Sequence, residues 1–475
     1  MGLFVTRSID ALNKETEEIE GPRLRRALGP WALIAFGLGS MVGGGIFASI
    51  GPGVHSFAGP SVVIAFLLAG LACMFAAFAY AEIASMVPVA GSAYTYTYAT
   101  LGEIVAWIIG WNLILEYALS AAPDANILSG NLQQFLAGYN VHLPLWATAF
   151  YSPSQHTFFD VFAFLSCVAV GALVAVGIRE SAGTNSVLVV LKMGVLVLFV
   201  LAAIPFFHPA NMHPFAPHGV HGILGAAFIV FFAFIGFDAI TTTAEEAKDP
   251  QRDMPLAILG SLGLGALFYV AVAMALTGMV PASAVSENTP LSSAWVSVGL
   301  GRYAWVLEYG AIIGAVSIIL TAFIGQARIF YVMARDGLLP KGVAKIHPVF
   351  RTPALMTMIM SVVVGVLAAM FDLNTLLDFV NIGTLTAFIC VCIGVIILRY
   401  TQPDRPRRFV APFVPVFPAI GVILSLVLIF YGTDWIVWAR FGVWLLVGLV
   451  FYAVYGYSHS EARKQALAAK QAPKP

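Results

Sequence analysis

The chain has 475 residues, of which 60% are hydrophobic and only 10% charged, with a mean hydropathy of +0.89 and a formal net charge of zero. A water-soluble domain carries about 25% charged residues, so this composition marks an integral membrane protein and leaves no basis for nucleic acid binding. The apolar runs are continuous rather than alternating, which argues against a β-barrel.

In chain order, residues 1–27 are charged and read as a cytoplasmic N-terminal segment rather than a cleaved signal peptide. About 20 apolar residues cross a bilayer as helix. Apolar runs predict twelve spans at 28–50, 60–84, 101–125, 159–178, 184–206, 222–246, 255–280, 304–330, 353–371, 378–399, 412–432 and 438–457. Ser458–Pro475 is rich in Ala, Lys and Gln and reads as a solvated cytoplasmic tail. Cys73, Cys167, Cys390 and Cys392 fall within spans and are expected as small apolar core residues, with no metal or disulfide.

Two spans are flawed as helices. The first carries Gly37, Gly39 and the run Gly43-Gly44-Gly45; the sixth reads Phe231-Phe232-Ala233-Phe234-Ile235-Gly236-Phe237-Asp238. Lipid cannot satisfy freed backbone, so such breaks survive only inside protein or beside a cavity. Paired breaks in two halves of a chain point to the substrate site of a secondary transporter. Successive glycine amides at the start of a half-helix attract a carboxylate, and the carbonyls of the second break can accept from an ammonium. One zwitterion satisfies both, so an α-amino acid fits better than a sugar. Close helix packing is the plainer use of membrane glycines, but three in succession exceed it.

The basic residues orient the chain. With a cytoplasmic N-terminus, 21 of the 24 lysines and arginines fall on the inner side and only Arg302 and Arg440 outside, a positive-inside pattern. Lys192 remains, within the fifth span. Seven of nine histidines fall outside, without tight ligand spacing, and read as polar loop residues.

Ionisable residues within spans are functional candidates. Lys192 is either a proton carrier near neutral pH or a snorkelling surface charge. Glu116, mid-span in the third helix, either faces a substrate amine or holds a structural hydrogen bond. Asp238 is expected to cap the freed half-helix after Gly236. Glu245 and Glu246 are expected at the inner face, in a gating ion pair with a base such as Arg179 or in a solvated turn. The chain has no Walker motif, no voltage-sensor helix, and no nucleophile–base or metal-ligand cluster in any span, so no enzyme and no cofactor is expected.

These motifs carry a family resemblance. Gly39-Ser40-Met41-Val42-Gly43-Gly44-Gly45-Ile46-Phe47, Gly59-Pro60, Pro88–Tyr96, the Phe231–Asp238 segment, Asp249–Pro255 and Arg335-Asp336-Gly337-Leu338-Leu339-Pro340 together resemble the amino acid–polyamine–organocation transporter superfamily, in particular its bacterial members similar to cationic amino acid transporters. The resemblance implies an all-α membrane protein of leucine-transporter type: a 5+5 inverted repeat over 28–206 and 222–400, with helices 1 and 6 unwound, and two extra helices over 412–457. It implies a substrate carboxylate at Met41, Gly43, Gly44 and Gly45, and Phe232, Ala233 and Ile235 around the amine and side chain. It aligns Lys192 with a fifth-helix lysine standing where sodium-coupled relatives bind sodium, and Glu116 with an acid of this branch. Gly44 departs from relatives with a larger residue at that place.

The expectation is a multi-pass protein of the cytoplasmic membrane, with both termini cytoplasmic, carrying L-amino acids, neutral or cationic, by sodium-independent proton symport. Exchange of amino acids or polyamines on the same fold is the alternative, and a non-transporting sensor the least favoured.

Overall fold

The computed structural model describes residues 5–7, 9, 28–87, 91–177, 182–350 and 352–464. The described residues are helical apart from turns and two isolated β-bridges. Among the described residues, eight helical runs are long and apolar enough to cross a membrane, and four shorter apolar helices accompany them. The chain is therefore a multi-pass membrane protein.

Helix α1 (Pro30–Met41) starts with proline in its first turn, where the missing amide costs nothing. After the break comes α2 (residues 45–58), wound partly in wider π-type turns. Gly59, at φ +57°, then turns the chain into α3 (Val62–Met86). A short α4 (Ser92–Thr100) precedes α5 (Glu103–Ala137), followed by α6 (Val161–Val176) and α7 (Ala182–Ala203). Helix α8 (Gly219–Val230) leads into the second break, and α9 (Pro250–Met279), the short α10 (Pro290–Ser297), α11 (Ala304–Arg335), α12 (Ala354–Met370) and α13 (Leu373–Thr401) follow. The chain closes on α14 (Val416–Gly432) and α15 (Trp435–Phe451).

Three helix pairs dominate the packing: α3 with α9, α5 with α11, and α6 with α12. Helix α13 lies against α5, and α14 against α3. The last helix is held by aromatic stacking, with the Trp111 and Trp444 rings 4.6 Å apart and Trp107 parallel to Phe451.

Helix α5 outruns its predicted end at 125 and continues through Pro123 to Ala137. Its polar last turns look like the end of a span, but they are satisfied by protein: Ser129 donates to Asp160 at 2.6 Å and Gln133 to the Thr148 carbonyl at 2.8 Å.

The chain ends also depart from expectation. Glu103 accepts from Arg463 at 2.7 Å, Tyr452 at 2.7 Å, Tyr98 at 3.0 Å and Ser460. Ser460, Ala462 and Arg463 are buried, Arg463 only 8% exposed, so this part of the tail is docked rather than solvated. Charged side chains desert water when a buried counter-charge is already fixed on a helix, here at the start of α5. Near the other end, Arg7 pairs with Asp336 at 2.8 Å, and the Glu103 amide donates to the Val5 carbonyl. Glu82 pairs with Arg399 at 2.8 Å and lies 3.1 Å from Arg407. These groups share one end of the bundle, called the basic face below.

Candidate substrate site

The first break follows Met41. Val42 turns to an extended conformation, with its amide still donating to Leu38 at 2.8 Å, and helix resumes at Gly45. The second break comes after a tight 3-10 turn at Phe231–Phe234. Ile235 is extended and Gly236 has φ +114°, a conformation that favours glycine. A second 3-10 stretch then runs over Asp238–Glu246.

The two breaks touch. A Cβ on Gly45 would come within 2.9 Å of the Ala233 backbone, and one on Gly236 within 2.5 Å of the Ser40 carbonyl oxygen. Glycine is thus required by close approach at both positions, and at Gly236 by backbone conformation as well.

Freed carbonyls must find donors, and neighbouring helices supply them. Lys192 Nζ, from α7, donates to Gly39 at 2.9 Å and to Ser317 Oγ at 3.2 Å. Tyr269 donates to Ala233 at 2.7 Å, Asn381 to Phe228 at 2.6 Å, and Arg328 to Thr242 at 3.1 Å. Lys192 is 1% exposed, so it does not snorkel. It holds the open end of α1.

A cavity lies where the second break, the end of α1, α5 and α11 meet. Its wall comprises Ser40, then Glu116, Tyr117 and Ser120 of α5, then Phe232, Ile235, Gly236, Asp238 and Ala239, then Ile318, Thr321 and Ala322 of α11. Helical spacing of three and four residues puts each helix's contributors on one face. Water centres have about 30 Å³ to occupy. A single water needs roughly 10–15 Å³, so a larger ligand must displace side chains.

The acids here are sparsely partnered. Asp238 accepts from Tyr117 at 2.9 Å and Ser92 at 3.5 Å through one carboxylate oxygen, while the other has no hydrogen-bond partner among the described residues. Glu116 is 2% exposed and also has an unpartnered carboxylate oxygen.

Of the expected site residues, Glu116, Phe232, Ile235 and Asp238 therefore line the cavity. Met41, Gly43, Gly44, Gly45 and Ala233 are buried in packing instead. Gly43 is filled by the Ile318 side chain, Gly44 by Asp124, and Gly45 by Ala233. Ile318 touches both the cavity and Gly43.

The expected cap by Asp238 is not made. Phe237 precedes the stretch and no side chain caps it, because the Asp238 carboxylate is drawn to Tyr117 instead. Glu246 pairs with Arg328 at 3.1 Å; Arg179 lies outside the described residues. The Glu245 side chain also lies outside them. A short parallel bridge between Leu28 and Ala247 ties the start of α1 to the end of the second 3-10 stretch.

Ser40, Tyr117, Ser120, Ile318, Thr321 and Ala322 were not anticipated as site residues. Tyr117 was within reach of sequence reasoning, since it neighbours Glu116. The α11 residues are ordinary for a membrane helix and carry no local signal.

The amino acid permease family model matches residues 28–457, so the chain belongs to that family and is a transporter, not an enzyme. It is 43% identical over 403 residues to the branched-chain amino acid permease BcaP of Bacillus subtilis, covering 84% of this chain and 86% of that protein. It is 38% identical over 462 residues to a methylthioribose transporter of the same species, covering 97% and 99% of the two chains. It is 35% identical over 395 residues to the vacuolar cationic amino acid transporter 4 of Arabidopsis thaliana, covering 81% of this chain and 65% of that one.

Proposed function

We propose that this transporter carries neutral L-amino acids with branched aliphatic side chains, by sodium-independent proton symport across the cytoplasmic membrane, with both termini cytoplasmic. The observation that carries the reading is the cavity at the meeting of two interrupted helices. Its apolar wall of Phe232, Ile235, Ile318, Ala239 and Ala322 suits an aliphatic side chain, and a permease for branched-chain amino acids is 43% identical.

The reading includes twelve spans in a 5+5 repeat. Spans two, three and four each pack on the span five places later, as α3 with α9, α5 with α11 and α6 with α12. The two broken helices stand in the same relation and touch. Repeats arranged this way suit alternating access by movement of one set of helices against the other.

In this mechanism the carboxylate goes to the amides of Gly43–Gly45 once Ile318 moves aside, and the ammonium to the carbonyls around Ala233 and Ile235. Lys192 links proton and conformation. Charged, it holds the Gly39 carbonyl and the end of α1; neutral, it is a poorer donor and loosens that hold.

The test is uptake into proteoliposomes without sodium. An imposed inward proton gradient should drive L-leucine or L-isoleucine above equilibrium, and Lys192→Ala should abolish accumulation while leaving a folded protein. Undiminished accumulation by Lys192→Ala would refute its role. Uptake that requires preloaded amino acid and ignores the proton gradient would favour exchange.

A second reading rests on the methylthioribose transporter, which matches 97% of this chain, and on the cavity hydroxyls of Ser40, Ser120 and Thr321. Methylthioribose that outcompetes L-leucine in the same assay would establish it.

A further inference from the structure

Asp124 lies in the middle of α5 and is fully buried, 0% exposed, and neither carboxylate oxygen has a hydrogen-bond partner among the described residues. It faces the first break. A Cβ on Gly44 would overlap Asp124 Oδ1, and the Gly44 amide is directed at that carboxyl. The carboxyl therefore sits at the Gly44 amide, just before α2, without being fully satisfied by it.

Its other neighbours are few. The titratable groups facing it are Lys192 from α7, Cys167 from α6 and Tyr269 from α9. Lys192 is engaged with Gly39 and Ser317. Cys167 and Tyr269 bring no positive charge. The break itself, residues 42–44, contributes none.

We propose that Asp124 is a proton-binding residue of the transport cycle, and that its protonation clears negative charge from the Gly43–Gly45 amides so that the substrate carboxylate can bind there. The inference rests on the carboxylate placement given above. Two carboxylates sharing one site cannot both stay ionised without a large penalty. An ionised Asp124 on the Gly44 amide already supplies the negative charge that a helix N-terminus attracts. A second carboxylate at the same amides is repelled until Asp124 takes a proton from bulk water onto one carboxylate oxygen. Substrate then binds with uptake of that proton, and its release leaves the carboxylate free to return to the amide. Proton and amino acid are coupled by competition for one cradle. Lys192, which faces the same carboxyl and donates to the Gly39 carbonyl, ties the same event to the end of α1.

Calorimetry on the purified full-length protein tests this, with L-isoleucine titrated at a series of pH values in buffers of different ionisation heat. The wild type should take up close to one proton per amino acid bound, and its affinity should weaken about tenfold per pH unit across the window where uptake is seen. Asp124→Asn should bind with no proton uptake and a pH-independent affinity. Wild-type-like uptake by a folded Asp124→Asn overturns the proposal. If that variant does not fold, Asp124→Glu keeps the acid but moves it by a methylene. The pH midpoint of uptake should then shift, and an unshifted midpoint overturns the proposal. Binding by the wild type without proton uptake overturns it in any case and leaves the substrate reading intact. Absence of binding by any of the common amino acids overturns the substrate reading, and this inference with it.

Discussion

The buried acids of the basic face and those at the two breaks are treated in opposite ways. Glu82 collects Arg399, Arg407 and the Ala411 amide, and Glu103 collects Arg463, two tyrosines and Ser460. Glu116, Asp124 and Asp238 are also buried, none more than 2% exposed, yet each keeps at least one carboxylate oxygen without a partner among the described residues. A buried polar group left unsatisfied opposes folding, so the breaks spend stability that the basic face supplies. The difference separates welds from working parts. Saturated acids fix helices to one another, whereas unsaturated ones remain available to a proton or a ligand.

The largest effect should come from breaking a weld. Glu82→Ala strips the acid from Arg399 and Arg407, and removing one partner of a buried ion pair costs about 3–5 kcal/mol. Glu116→Gln removes a charge that has no counter-charge beside it, and should change stability by no more than about 1 kcal/mol. Thermal unfolding in detergent measures both, and similar losses in the two variants would erase the distinction between the regions.

Gly236→Ala should come next. It places a Cβ 2.5 Å from the Ser40 carbonyl oxygen at φ +114°. Strained backbone of this kind costs about 1–3 kcal/mol, and the two breaks would be pushed apart. Uptake should fall more steeply than stability, because the same contact closes the cavity wall. Normal uptake by this variant would show that the breaks need not touch.

The last effect is read through pH alone and concerns an acid outside both regions. Asp160 precedes α6, accepts from the Ala163 amide at 3.0 Å, and is pushed up to about 6 by burial. Its folded form holds a proton that the unfolded chain releases near pH 4. Stability should therefore decline as pH rises from about 4 to about 6 and then level off. Asp160→Asn keeps a good helix cap and should flatten that decline. An unaltered pH dependence would remove Asp160 as its source.

Much of the architecture was legible in the chain. Apolar length gave the helices, because lipid admits little else, and the glycines marked both interruptions. Glu116, Phe232, Ile235 and Asp238 were identified as site residues and do line the cavity. What failed was partner assignment. The reach of a side chain such as Arg463 toward Glu103 spans 360 positions and leaves no periodicity to read. Ile318 was invisible for a related reason: an isoleucine in a membrane helix looks the same whether it meets lipid, another helix or a cavity.

By itself the sequence determined that the protein is a multi-pass helical transporter with two broken helices, because hydropathy and backbone permissiveness are local properties. Only the tertiary structure decided that the breaks touch, that Lys192 holds the Gly39 carbonyl, and that Asp124 rather than open space fills the room beside Gly44. Those facts depend on which helices pack together, and packing is settled by shape and charge across the whole bundle rather than within any one span.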